Sequence, residues 1–315
     1  SGPGGLAIEA PEVHVRAGGA GEVPLGHLLV DSGDILLDGA IITSGSQTYA
    51  GDGTTISLQA NLGTMGADVT LADAVVLGDI DEVALTTALD APAGAAIRIS
   101  GPITDSDMPT NLLIHAGTGG VVDLPDTTLG GSLACQAGLV RVLGPLETTN
   151  AGEGMTLVGD QTVLVLANVT TRDGDIMLQG GYAPSGVSPY AGVFVYNGIL
   201  SAGDADVQIA ARGMPAASGP HDGALGLVNA TIETTGDGAI LLTGEAGSTN
   251  AVLLDGATLR TADGDVTVHG IVPQREQVYE RTGVGLLVDG AEPGSPAPAV
   301  HVTDSVIETA GGAVA

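Results

Sequence analysis

Four stretches of the chain can be laid over one another: VLVLANVTTRDGDIMLQG (163–180), VFVYNGILSAGDADVQIAARG (193–213), LGLVNATIETTGDGAILLTG (225–244) and AVLLDGATLRTADGDVTVHG (251–270). A fifth, VHVTDSVIETAGGAVA, closes the sequence. Each reads as a short strand, an Asn or Asp corner, a second short strand, a Gly/Asp turn and a third short strand. In the third strand Ile176 and Leu178 share a side, as do Val207 and Ile209, Ile240 and Leu242, and Val266 and Val268. Apolar residues at every second position are the signature of a strand buried on one face. Helical spacing is not sustained anywhere, and Gly and β-branched residues are too dense for stable helices.

A unit of three short strands cannot bury its apolar side alone. Stacking copies gives every strand a backbone partner above and below, and turns the inward side chains into one continuous core. The anchors Ile176, Val207, Ile240 and Val266 recur at roughly 26–33 residues, within the range of such coils. The pattern predicts an all-β fold, a parallel β-helix or β-solenoid forming a single elongated domain. Residues 1–315 read as one continuous solenoid, with less regular coils over 1–162 and regular repeats over 163–315. The chain reads as a section of a longer protein. Asn168, Asn197, Asn229 and Asp255 fall at the first corner of each repeat, where a residue that tolerates left-handed geometry and bonds its own backbone is favoured. The same role accounts for NVT (168–170) and NAT (229–231), which also match the glycosylation pattern.

Charge narrows the partners. There are 37 Asp plus Glu against 8 Lys plus Arg, for a net charge of −29, and all the bases are Arg. Phosphate backbones are bound by Lys and Arg, so nucleic acid is excluded as a partner, and anionic lipid is disfavoured. No run of apolar residues is long enough for a membrane-spanning helix, so this segment does not insert. The lone Cys135, within GGSLACQAGLV, is expected to be a buried, inert thiol and leaves no intramolecular disulfide.

The stretch SGSQTYAGDGTTISLQANLGTMGADVTL (44–71) resembles the QTY…VTL segments of large bacterial surface exoproteins, and LLIHAGTGGVVDLPDTTLGGSLACQAG (112–138) is similar to their companion stretch. The repeats from 163 onward resemble those of filamentous-haemagglutinin-type adhesins. The resemblance is one of repeat style and covers most of the chain. It implies a right-handed parallel β-helix, export to the extracellular side or bacterial cell surface, and a structural or adhesive role. The secretion domain of that family has no counterpart here.

Candidate chemistry is sparse. Carboxylate pairs recur at equivalent turns: Asp173 with Asp175, Asp204 with Asp206, and Asp263 with Asp265. A feature repeated on every coil points to architecture, because a catalytic site is normally unique. These residues could also form a ladder for calcium, a cation that seeks six to eight oxygens, although the strict nonapeptide of calcium-binding β-rolls is absent. No other cofactor and no catalytic residue is expected. Long inserts follow the third strand at 181–192, 211–223 and 271–283, so they should line one corner as a loop wall. That wall would present Tyr182, Tyr190, Arg212, Arg275, Tyr279 and Arg281 to a surface glycan or protein. Met177, Leu241 and Leu253 alternate outward and are expected to lie beneath it. The function expected is a non-catalytic structural or adhesive section of a secreted surface protein. The alternatives are an extracellular filament subunit built from copies of itself, and a β-helix polysaccharide lyase or hydrolase.

Overall fold

Strands this short, with one apolar side, need neighbours on both edges for their backbone groups and a partner surface for their side chains. In the computed structural model both needs are met by coiling. The structure describes residues 5–16, 25–51, 53, 55–78, 80–181, 192–213, 224–246, 250–272, 275–281 and 299–309. Among them no helix forms, and equivalent strands of successive coils are joined by parallel ladders. The chain is an all-β parallel β-helix. It divides into two compact units, Ser1–Thr149 and Asn150–Ala315.

In the first unit each coil contributes to three faces, A, B and C in chain order. Face A stacks Gln47–Ala50, Val69–Leu71, Ile97–Ile99 and the second parts of Asn111–Leu124 and Leu133–Val142. Face B stacks Thr55–Leu58, Ala74–Leu77, Ile103–Asp105, Thr127–Leu129 and Leu146–Thr148. Face C stacks Ile41–Thr43, Leu62–Thr64, Glu82–Thr86 and the first parts of the two long strands. The long strands Leu6–Arg16 and Leu28–Asp38 pair with each other, and the second of them starts faces A and B.

The core is a set of aliphatic ladders between the faces. Val30, Tyr49, Leu71 and Ile99 stack in register on face A, all at most 5% exposed. The QTY stretch has a physical reading. Gln47 and Tyr49 point inward, and Thr48 between them points out. The Tyr49 hydroxyl donates to Gln47 Oε1 at 3.0 Å, and Gln47 Nε2 donates to the carbonyls of Ile41 at 3.1 Å and Gly63 at 2.8 Å. Two buried polar side chains thereby satisfy each other and the backbone, as buried polar groups must. Val69 and Leu71 of VTL stack on Gln47 and Tyr49 as the next rung. Burial pushes the Tyr49 phenol and the Cys135 thiol up from their usual values, and both stay protonated.

In the second unit the faces are D, E and F. Face D stacks the start of Met155–Val165, then Ile176–Gly180, Val207–Arg212, Ile240–Glu245 and Val266–Val272. Face E stacks the end of Met155–Val165, then Gly192–Tyr196, Leu225–Val228, Val252–Asp255 and Val300–Thr303. Face F stacks Val169–Thr171, Ile199–Ser201, Thr231–Thr234, Thr258–Thr261 and Val306–Thr309. The inward row of face D is Met155, Ile176, Val207, Ile240 and Val266, each at most 3% exposed. Full burial of each such side chain contributes about 1.5–3 kcal/mol, repeated rung after rung.

Candidate functional site

The corners decide which polar residues are available for chemistry. Asn197, Asn229, Asp173 and Asp304 adopt left-handed backbone, with φ of 53°, 49°, 59° and 48°. In the coil of Asp255 that conformation passes to Gly256, at φ 60°. The side chains then bond across to the next coil. Asn168 Oδ1 accepts from the amide of Ile199 at 3.1 Å, Asp173 Oδ1 from Asp204 at 3.2 Å, and Asp175 Oδ1 from Asp206 at 3.1 Å. Asp206 Oδ1 accepts from the amide of Ala239 at 2.8 Å. Asp263 and Asp265 stand exposed at the same turn, in the last face-D coil. The carboxylate ladder is therefore also a ladder of backbone caps. Among the described residues, no group of three or more His, Cys, Asp or Glu side chains is gathered closely enough to hold a metal ion.

A second set of corner residues was not singled out from the sequence. The buried hydroxyls of Thr234 and Thr261 donate to the carbonyls of Gly238 and Gly264, each at 2.6 Å, and Thr171 does the same to Gly174. In the first unit Thr43 donates to Gly45 at 2.5 Å, and Thr64 to Ala67. Thr87 closes a longer loop by donating to the carbonyl of Ala95 at 2.8 Å and accepting from its amide at 2.9 Å. The available signal was a Thr ending a strand three residues before Gly, as in TRDG and TADG.

The inserts share one corner of the second unit. Chain leaves face D through Gly180, Ala211, Gly244 and Gly270, which are in register, and re-enters face E at Val193, Leu225, Val252 and Val300, also in register. Exit and return touch at a neck. A Cβ on Gly180 would lie 2.1 Å from the carbonyl oxygen of Gly192, and one on Gly244 would lie 2.1 Å from that of Ala251. Tyr182 and Tyr190 lie outside the described residues. Arg212 sits at the neck, where its Nη2 and Nε bond Glu245 Oε2 at 2.7 and 2.9 Å. The side chains of Arg275, Tyr279 and Arg281 lie outside the described residues. Their backbone forms the strand Arg275–Arg281, which folds back antiparallel on Val266–Val272 from Val272↔Arg275 to Val266↔Arg281. The segment read as a corner loop thus covers the outer edge of the last face-D rung. The outward apolar residues also depart from expectation. Met177 and Leu241 are open to solvent, at 39% and 40% exposed, and only Leu253 is half-buried.

On face E the outward side is closed around the chain's one Phe. Phe194 is 2% exposed although it alternates outward between Val193 and Val195. Its ring lies against Gly226 on the next rung and stacks on Tyr196, with centroids 6.3 Å apart.

The first unit holds an open cleft of about 500 Å³ at the corner between faces A and B. Three turns in successive coils form it: Ser100 with Pro102, Pro125 with Asp126, and Leu143 with Gly144. Gly144 is required there, because a Cβ would lie 2.1 Å from Asp126 Oδ1. On the adjoining face, Arg98, Asp123 and Arg141 are in register on three successive rungs. Arg141 grips Asp123 with two bonds of 2.5 and 2.7 Å, and that hydrogen-bonded pairing raises the guanidinium further above its usual range. Arg98 turns the other way, to Asp68 at 2.5 Å. The cleft therefore combines an apolar floor (Pro102, Pro125 and the half-exposed Leu143) with the side chain of Arg98, whose guanidinium is held by Asp68, and the exposed carboxylate of Asp126. Such a surface suits a sugar, with a ring face on the floor and hydroxyls at the polar rim. Of its two carboxylates, Asp123 is committed to Arg141 and Asp126 is exposed.

No family model, curated protein or solved structure matches the chain.

Proposed function

We propose that this chain is a non-catalytic, structural or adhesive section of a large secreted bacterial surface protein, of the filamentous-haemagglutinin style, whose coils carry contact sites for a glycan or protein. The observation that carries the reading is where the polar side chains go. Arg98, Arg141, Arg212 and Arg260 each pair with a carboxylate on a neighbouring coil. Asn168, Asp173, Asp175 and Asp206 each cap a neighbouring coil's amide. Groups that could do chemistry are spent on joining rungs, which is what a scaffold requires. No helix among the described residues is long and apolar enough to cross a membrane.

The cleft is the site to test. Immobilised neutral and acidic oligosaccharides should retain the protein, and Arg98→Ala with Leu143→Ala should abolish retention without changing the far-ultraviolet spectrum. Retention unchanged by that pair removes the cleft from the reading. The lyase or hydrolase alternative draws on the same cleft, since it holds two carboxylates and an Arg. It requires release of unsaturated or reducing ends from a bound polysaccharide, which the same assay can follow. End-on filament growth is disfavoured at face D, where Arg275–Arg281 already occupies the outer edge.

A further inference from the structure

We propose that the cleft of the first unit takes a neutral, β-linked hexose polymer lying along the stacking direction, one sugar per rung, with Asp126 holding the middle one. This rests on the reading of the cleft as a sugar site and names the class of sugar. The corner between faces A and B presents two rows that run along the stack. Ser100, Pro125 and Leu143 each follow the last rung residue of face A, and Pro102, Asp126 and Pro145 each precede the first rung residue of face B. The amides of Ile103 and Thr127 donate to the carbonyls of Asp126 and Pro145, each at 2.8 Å, which holds the second row in step. One apolar step stands on each rung of the cleft: Pro102, then Pro125, then Leu143. The carboxylate of Asp126 belongs to the middle rung, and Gly144 on the next rung leaves it the space that a Cβ would fill.

Period and charge select the occupant. Rungs are about 4.8 Å apart, whereas a peptide advances about 3.3 Å per residue as a strand and about 3.1 Å as a polyproline helix. A peptide laid along the rows therefore cannot set one residue on each of three successive rungs. A hexose chain joined through equatorial β-linkages advances by one ring length per residue, close to the rung spacing, and can. The outer rungs of the cleft are about 10 Å apart, which leaves room for three sugars, each with its carbon-bearing face on one apolar step. The charges narrow the class further. The guanidinium groups of Arg98 and Arg141 are already paired, with Asp68 and Asp123, and the charge left exposed in the cleft is the carboxylate of Asp126. A protein of net charge −29 repels an anionic polymer and leaves a neutral one unhindered. The hydroxyls of a neutral sugar donate to a carboxylate, and such charge-assisted bonds are stronger than those between neutral groups. No aromatic ring lines the cleft among the described residues, so each sugar contributes little and binding depends on filling all three rungs.

Calorimetric titration of the whole chain with cello-oligosaccharides, from the monosaccharide to the pentasaccharide, tests this. Affinity should rise with each sugar up to the trisaccharide and level off beyond it. Malto-oligosaccharides, whose α-linkages coil the chain, should show no such gain. Asp126→Ala should weaken the cello-trisaccharide by about tenfold or more, the loss of one bond to a charged acceptor, with an unchanged melting temperature. Asp126→Asn, which keeps an acceptor, should bind it more tightly than Asp126→Ala does. A β-linked glucuronate trisaccharide should bind the parent more weakly than the cello-trisaccharide, and both Asp126→Asn and high salt should narrow that gap. Affinity independent of length, an equal gain in the α-linked series, or tighter binding of the glucuronate overturns the proposal and leaves the cleft a sugar site of another kind. So does an Asp126→Ala protein that binds as the parent does. A parent that binds no oligosaccharide of any series overturns the reading of the cleft as well.

Discussion

Replacing Thr261 by Val isolates the corner bond that the buried hydroxyls make. Val keeps the shape of Thr, so no cavity opens, and only the bond to the Gly264 carbonyl at 2.6 Å is lost. Thr261 is 1% exposed and Gly264 is buried, so water cannot replace the donor. Leaving a buried acceptor unsatisfied costs about 1–3 kcal/mol. Thr234→Val, one rung away in register, removes the equivalent bond to Gly238 and should cost the same. Their double variant should depart from additivity, because the two corners stack directly. Thr258→Val, on the outward side of the same strand, should change stability by no more than about 0.5 kcal/mol. Urea unfolding gives the midpoints. Hydrogen exchange locates the loss, which should appear first at the Ile240 amide bonded to Asp265 across that corner. A Thr261→Val protein that unfolds at the parent's urea concentration would refute the claim that these hydroxyls hold the turns.

Four other outcomes are expected. Burial raises the Asp105 pKa despite the nearby amides of Gly130, Thr110 and Gly131, so the folded state holds that proton more tightly than the unfolded one. Its ionisation therefore costs stability as pH rises out of the ordinary carboxylate range, and Asp105→Asn should melt higher than the parent at neutral pH, with the gap closing below about pH 3. Asp206→Asn keeps an acceptor for the Ala239 amide while removing one charge from the stacked carboxylates. It should raise the melting temperature at low salt and lose that advantage near 1 M salt, where the Debye length is about 3 Å. Calcium should stabilise the parent no more than magnesium does at equal ionic strength, and a calcium-specific rise would reassign the ladder to metal. Gly226→Ala would place a Cβ 2.7 Å from Phe194 Cδ1, an overpacking that typically costs about 1–3 kcal/mol, and Phe194→Leu in the same chain should recover most of it.

What could be read from the residues was whatever repeats with period two. Ile176, Leu178, Val207, Ile209, Ile240, Leu242, Val266 and Val268 are all buried, as their alternation requires. The Asn corners at 197 and 229 were legible because few other side chains accept that backbone. In the first unit the period was hidden. Gln47 aligns with Val69, Val69 with Ile97 and Val122 with Val140, so coil length changes at each step as the corner between faces C and A grows and shrinks. The Thr corners were missed because a Thr in a strand looks like any β-former, and its hydroxyl matters only once burial removes water. The strand Arg275–Arg281 was missed because it is strongly polar, and its place is set by a free edge beside it, which no local pattern reports. The cleft was invisible for a related reason. Arg98, Asp126 and Leu143 belong to different coils and meet only through register.

The pinched neck of the insert corner separates the fate of an excursion from that of the coil beneath it. Because Gly180 and Gly244 hold departing and returning backbone in contact, a grafted peptide inherits ends already tethered together. Its closure entropy then grows only by about 0.6 kcal/mol for each doubling of length. Cassettes could be exchanged at that corner, one coil at a time, while the aliphatic ladders below continue undisturbed.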